Sequence, residues 1–329
     1  MSEHIVISGL SQTGPAPVST EPFGRLDFET RRELGKKGTR NMDRLTALAI
    51  NGMSDLMPEL GVDQQEAKDD IGIVLGTAQG SMDSIVRFTY ETLAYDRPDY
   101  VNPALFPNTV MNCAAGHAAI WYRLRGLNAT ISCHEMSFLA ALEYSHLQLR
   151  QGKAKTLVTG GVEELSAVNE AAITAMSGEA NRPQTSVECS LFVTLESAAT
   201  AAESGRKVLA EICAVRSGFD PETGSPDALA ALIRDVLTDG DVAAEDIAAV
   251  SISATRLTER ETEIAAVEDV FGVMAILDVG EQLGNGGSAH NALQLTALLN
   301  ALAPGALGLV VARERHGNIS ALVVRKAAS

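Results

Sequence analysis

Cys133, His134 and Glu135 stand side by side, and each is a residue type that takes part in acyl transfer. A thiol or a carboxylate serves as nucleophile, an imidazole or a carboxylate as base. A nucleophile at Cys133 with His134 as its base is disfavoured, because adjacent residues on a strand point to opposite faces. A nucleophile at Glu135 would give a mixed anhydride, far more easily hydrolysed than a thioester and a poor store for a growing acyl chain. Glu135 also has a structural reading, as an acceptor for a backbone N–H at a strand-to-helix turn, where the helix N-terminus favours negative charge. Cys113, Cys189 and Cys213 form no C-x-x-C pair with one another or with Cys133, and no cluster with histidine at zinc-finger spacing. Neither a metal site nor a disulfide is expected, and small apolar filler is the plainer reading of the cysteines. Gly284, Gly286 and Gly287 lack the full G-x-G-x-x-G with a downstream acid that a dinucleotide loop needs, so tight-turn packing is expected there and no cofactor.

These residues must be positioned by alternating strands and helices. Ile5 to Gly9 reads as a first strand, followed by a Pro/Thr/Ser loop from Gln12 to Pro22. Thr39 to Met57 carries apolar residues at helical spacing, with Pro58 and Gly61 as stops. Ile71 to Gly76 is an apolar run bounded by glycine, the mark of a buried central strand. A helix from Leu139 to Arg150, Gly152 and a strand from Thr156 to Gly161 repeat the unit. Beyond a polar stretch from Gly178 to Ser186, strands are expected at Ser190 to Leu195, Val208 to Val215, Ile247 to Ser253, Leu307 to Ala312 and Ile319 to Val324. Helices are expected at Pro226 to Leu237, Glu261 to Phe271 and Ala292 to Leu302. Strands too apolar to have a wet face, alternating with helices throughout, argue for an α/β fold with buried sheets.

The 329 residues are 46% hydrophobic and 21% charged, enough for a large core and a length of about two domains. The formal charge of -16 repels phosphate backbones and anionic lipid, which argues against nucleic acid and membrane as partners. Met1 to Ile7 lacks a basic n-region and a long apolar h-region, and no run reaches the ~20 apolar residues of a membrane span, so a cytoplasmic protein is expected.

The run Phe106-Pro107-Asn108-Thr109-Val110-Met111-Asn112, then Ala115-Gly116-His117, Leu124-Arg125-Gly126, Gly152 and Gly160-Gly161-Val162-Glu163, resembles the first half of a β-ketoacyl synthase. The resemblance implies a thiolase-like fold of two similar halves, residues 1-200 and 201-329, in one compact unit of five layers, α-β-α-β-α. It also places that family's cysteine nucleophile at Glu135. In the second half, Glu263 and Phe271-Gly272 match the end of the family's H-G-T-x-T…D-x-x-E…F-G pattern. Counting back puts the first catalytic histidine at Ile252. The second, from G-H-x-x-G-A-x-G, falls on Asn285. Arg313 to His316 replaces the family's G-F-G-G gating loop. In active members the two histidines donate hydrogen bonds to the thioester carbonyl and stabilise an enolate. Isoleucine has no donor, and asparagine has a weaker one. His117 reads as a satisfied core or interface histidine, and His290, five residues past Asn285, faces elsewhere on its helix.

Ser190 to Glu196 keeps the family's buried strand, and Asn102 to Gly126 keeps its dimer-interface segment. Loss of the catalytic groups with retention of the assembly surface resembles the chain length factor of type II polyketide synthases, the inactive half of a ketosynthase heterodimer. The short region around Ala175 to Ser190 resembles the small chain length factors of bacterial polyene pathways. The resemblance implies an active ketosynthase as partner and acyl carrier protein reached through the complex. Tyr90, Leu105, Phe106, Thr109 and Met111 are expected to line or plug the acyl tunnel, with plain apolar interface packing as the other reading of each. The competing expectation is an active acyltransferase or hydrolase of the same fold that uses Cys133 or Glu135. A freestanding scaffold is a third.

Overall fold

The computed structural model describes residues 4–15, 23–62, 66–176, 185–222, 224–253 and 256–328. Its strands are β1 (Ile5–Thr13), β2 (Phe23–Gly24), β3 (Ile71–Gly76), β4 (Asn128–Ile131), β5 (Thr156–Glu163), β6 (Ser186–Val187), β7 (Cys189–Ser197), β8 (Ala210–Phe219), β9 (Ile247–Ile252), β10 (Ile276–Asp278), β11 (Leu307–Arg313) and β12 (Asn318–Lys326). Among the described residues, ten of them join in the order β10-β9-β11-β12-β8-β1-β7-β5-β3-β4, while β2 and β6 pair separately. From the centre outward, β1-β7-β5-β3-β4 and β8-β12-β11-β9-β10 repeat one pattern. In each set the two inner pairings are antiparallel and the two outer ones parallel. Three residue pairs, Ile5 to Ile7 of β1 against Ala210 to Ile212 of β8, link the sets.

Three cores separate the layers. The central one holds Phe138, Leu139 and Leu142 of the helix Ser137–Arg150 and Leu293, Leu295 and Leu298 of the helix His290–Ala301, against strands of both sets. On the far face of the first set, helices Arg44–Met53 and Cys113–Tyr122 bury Leu48, Ile50 and Ala118 against Ile73, Leu75 and Val158. On the far face of the second set, Ile233 and Val236 of helix Asp227–Asp239 and Ala266 and Val267 of helix Leu257–Phe271 pack on Val250, Leu309 and Val323. Helix, sheet, helix, sheet, helix is the expected five-layer order. The sheets read as near-continuous apolar runs because both faces are covered. Among the described residues, no helix is long and apolar enough to cross a membrane.

The helix expected over Thr39 to Met57 is two. Asp43 accepts from the Thr46 N–H at 2.7 Å and starts the helix only at Arg44. Pro58, expected as a stop, lies in the first turn of a short helix Leu56–Glu59, where its missing N–H has no intrahelical partner to lose. The polar stretch from Gly178 to Ser186 falls largely outside the described residues. Helices Met82–Ala94 and Ala167–Met176 and strand β4 were not expected from periodicity.

A fully buried carboxylate ties the first set to its surroundings. Glu188 accepts two bonds from Arg44, at 2.7 and 2.6 Å, and one each from the N–H groups of Leu26 and Leu165. Bidentate guanidinium binding is what makes a buried charge tolerable here. Arg44→Met should therefore lower stability by about 3 kcal/mol or more, because it leaves an uncompensated buried charge. Adding Glu188→Gln should recover much of that loss in urea unfolding, and equal loss in both variants would refute the buried-charge account.

Candidate functional site

The strand-to-helix turn after β4 carries Glu135. His134 adopts a left-handed backbone (φ 47°), which lets the chain reverse sharply before the helix Ser137–Arg150 begins. The Ser137 hydroxyl accepts from the Cys133 N–H at 3.0 Å and donates to the His134 carbonyl at 2.5 Å, which fixes the turn. The turn packs against the end of β3 so closely that a Cβ on Gly76 would lie 2.7 Å from the Ser137 carbonyl carbon. This close approach requires glycine there.

Glu135 meets Asn285 across the two halves. The Asn285 side-chain amide donates to Glu135 Oε1 at 2.9 Å. Asn285 is itself set by its backbone: its N–H donates to the Thr185 carbonyl, its carbonyl accepts from Val187, and its Oδ1 accepts from the Gly287 N–H at 2.8 Å. Arg256 lies 4.0 Å from the same Glu135 oxygen and 2.8 Å from Glu259. Burial opposes its charge, but Glu135 and Glu259 outweigh burial and hold the guanidinium further up its range. Ile252 is not in this group: it is fully buried in the outer core of the second set, and the cavity lining does not include it. Ala254 and Thr255 lie outside the described residues.

His290 is enclosed rather than poised. Its Nδ1 accepts from the Gly286 N–H at 3.3 Å, so its Nε2 carries the proton and donates to the Ser253 carbonyl at 2.9 Å. Burial pushes its pKa down, and the ring is a neutral structural bridge. The Ser253 hydroxyl donates to Glu263, which also accepts the Arg313 N–H at 2.9 Å. Arg313 pairs with buried Asp220 at 2.9 Å and donates to the Ser225 carbonyl at 3.0 Å. In the turn that follows, Glu314 accepts from the N–H groups of His316 and Asn318 and from the Asn318 side chain. The segment from Arg313 to Asn318 is thus tied down by several bonds. The His316 ring lies 4.7 Å from that of His134.

These groups border a cavity of about 480 Å³, lined among others by Gln79, Glu135, Glu163, Glu164, Arg256, Asn285, Glu314 and His316. Glu163 accepts from the Ala78 N–H at 2.9 Å, and burial pushes its carboxyl up. Burial first, then Asp43, pushes Glu164 up to about 8. One oxygen of each of these two carboxyls has no hydrogen-bond partner. Cys133 is only half-buried, yet burial and then Glu314 push its thiol up, the reverse of nucleophile activation. Among the described residues no cluster of His, Cys, Asp or Glu has metal-site geometry. Arg256 and Glu164 carried no motif that marked them as site residues, and Glu163 was seen only as the end of the Gly160-Gly161-Val162-Glu163 likeness. Each enters through a fold-level contact rather than a local pattern.

The residues expected at the tunnel lie outside the lining of this cavity. Tyr90 and Phe106 are 68% and 57% exposed, Leu105, Thr109 and Met111 are half-buried, and the cavity lining includes none of them. Phe106 rests on Phe88 at 5.7 Å between ring centres. Besides this Phe106 face, Val86, Leu93, Tyr95, Tyr100, Val110 and Ile120 are exposed. Its link to the cavity is Gly80, next to the lining residue Gln79, where an added Cβ would lie 3.6 Å from Met111.

The family model "Beta-ketoacyl synthase, N-terminal domain" matches residues 8–205. The chain belongs to the β-ketoacyl synthase family. It is 23% identical over 338 residues to 3-oxoacyl-[acyl-carrier-protein] synthase 2 of Vibrio cholerae, covering 89% of this chain and 81% of that protein. It is 27% identical to the Vibrio harveyi protein of the same name over 141 residues, 43% of this chain and 34% of that protein. The solved structure of "the ishigamide ketosynthase/chain length factor" is similar with a TM-score of 0.87 and 27% identity, covering 98% of this chain and 99% of that one. A β-ketoacyl synthase from Burkholderia phymatum, at 18% identity and TM-score 0.85 over 99% and 100% of the two chains, shares the thiolase-like fold. Within this ketosynthase-like frame, the carboxylate at the elbow is bound by an amide and faces a guanidinium.

Two measurements test the site's electrostatics. Because the Glu164 carboxyl is raised in the folded state, its stabilising share is complete below its ordinary 4.5 and is lost as pH rises through about 8. Wild-type stability should fall over that window by up to about 1.4 kcal/mol per pH unit from this group. Urea midpoints of Glu164→Gln should show a shallower fall, and parallel curves would refute the assignment. For Cys133, iodoacetamide labelling at neutral pH should be slow and should quicken as pH rises; rapid labelling at pH 7 would contradict the raised thiol.

Proposed function

We propose that this chain is a non-catalytic chain length factor that pairs with an active ketosynthase and shapes the acyl tunnel of the complex. The observation that carries the reading is Glu135, a carboxylate at the elbow where the family's nucleophile stands, hydrogen-bonded by Asn285 and facing Arg256. An anion so held is a weak nucleophile; of the two positions counted for the family's histidines, Asn285 offers an amide and Ile252 lies outside the cavity. The partner's cysteine would carry the growing chain, and elongation would stop when the chain meets side chains contributed across the interface. Tyr90, Leu105, Phe106, Thr109 and Met111 are assigned to that role, on a face already apolar and exposed. An obligate interface of this class buries about 2,000 Å² or more and is largely apolar, which suits the run of exposed aromatics there. Residues 1-200 and 201-329 act in this reading as two halves of one unit, working in the cytoplasm, with acyl carrier protein engaged through the complex.

Co-expression with a genomically adjacent ketosynthase, followed by malonyl-carrier elongation assays of each subunit and of the complex, tests this. Elongation is expected only from a stable 1:1 complex. Glu135→Ala should leave the rate unchanged, while substitution at Phe106 or Tyr90 should alter product length. Turnover by this chain alone, abolished by Glu135→Ala or Cys133→Ala, would overturn the proposal.

A further inference from the structure

We propose that Arg256 and Asn285 form a binding site for a small carboxylate, and that Glu135 is its built-in occupant. The two donors are held without help from Glu135. Asn285 is bonded through its backbone on both sides, and its Oδ1 is committed to the Gly287 N–H, so its Nδ2 is left aimed toward Glu135 Oε1 at 2.9 Å. Arg256 is oriented by Glu259 at 2.8 Å and turns a second nitrogen to the same Glu135 oxygen at 4.0 Å. Its side chain is only 20% exposed, so loss of the Glu135 carboxylate leaves a partly desolvated cation whose remaining ion pair is with Glu259. One donor at hydrogen-bond distance and one cation 4.0 Å away, both held in place, keep their attraction for an anion when the tethered one is removed.

The surroundings suit a carboxylate with a short tail. The adjoining cavity of about 480 Å³ has room for one beside the donors. Of the acids on its lining, Glu163 and Glu164 are pushed toward the neutral form by burial, which leaves Glu259 and Glu314 against Arg256 and Arg315. Replacing Glu135 by a free carboxylate therefore restores the charge balance the site has now. Both donors belong to this chain, so the site needs no ketosynthase partner to form.

Acetate is the probe. Thermal melts of wild type, Glu135→Ala and Glu135→Ala with Arg256→Met are compared at pH 7 in sodium acetate and in sodium chloride of equal ionic strength. Acetate should raise the melting temperature of Glu135→Ala by about 2 °C or more over chloride, saturably. Wild type, whose site is filled, and the double variant, whose guanidinium is gone, should respond equally to the two salts. Should Glu135→Ala not fold, Glu135→Cys takes its place, since it too removes the carboxylate and introduces only a small thiol. An acetate response absent from the single variant, present in wild type, or surviving Arg256→Met would each overturn the proposal.

Discussion

Glu188 has no exposed surface, and three separate segments converge on the one that carries it. The bidentate grip of Arg44 brings in the first outer helix, and the Leu26 N–H brings in the N-terminal segment. The Leu165 N–H brings in the residues that follow β5, and the backbone of Glu188 runs between β6 and β7. Leu165 follows Glu163 and Glu164 directly, and Val187 precedes Glu188, so the same knot fixes one wall of the cavity. Burying a carboxylate is costly enough that it is tolerated only with this many donors, and that cost makes the arrangement specific. A neutral substitute would leave the wall less strictly placed.

Onto that fixed frame the chain has set charges that bond to one another. In the frame's cavity, Glu135, Asn285, Arg256 and Glu259 form a linked polar relay, and Glu314 collects its donors from the turn that contains it. Arg313 is buried with Asp220 and also bonds a carbonyl, which anchors the turn from behind. A loop that must open needs few and replaceable contacts. This one has many, several of them charge-assisted and buried, and so it behaves as a wall. The left-handed His134 and the close approach at Gly76 fix the backbone of the turn. The side chain it presents is a carboxylate bonded to Asn285 and facing Arg256.

The strands were legible because burial on both faces writes them as unbroken apolar runs, as in Ile71 to Gly76 and Leu307 to Ala312. Helix Arg44–Met53 was overextended because apolar spacing continues on both sides of it, and only the Asp43 cap, a matter of geometry, marks its start. Helix Cys113–Tyr122 was not expected, since it is apolar on all sides and leaves no periodic signal. At the site, Glu135 and Asn285 stand 150 positions apart in the chain yet share a hydrogen bond, and only alignment with a family brought them together beforehand. Arg256 had no such guide: its meaning comes from the packing of one half against the other.

Helix Met82–Ala94 was missed for a different reason, and that reason bears on function. Among its described side chains only Ser84 is fully buried, although the helix is apolar on two sides. One side holds Phe88, which reaches Phe106 of its own chain. The other holds Val86, Tyr90 and Leu93 at i, i+4 and i+7, exposed by 38%, 68% and 81%. The stripe has the spacing of a core contact but meets no core among the described residues. Large contiguous apolar patches on soluble proteins mark interaction sites. The stripe lies on the segment that packs against Pro103–Thr109, so whatever covers it also bears on Phe106. The helix and the aromatic beside it are therefore one packed unit, so a change in the placement of either moves the other.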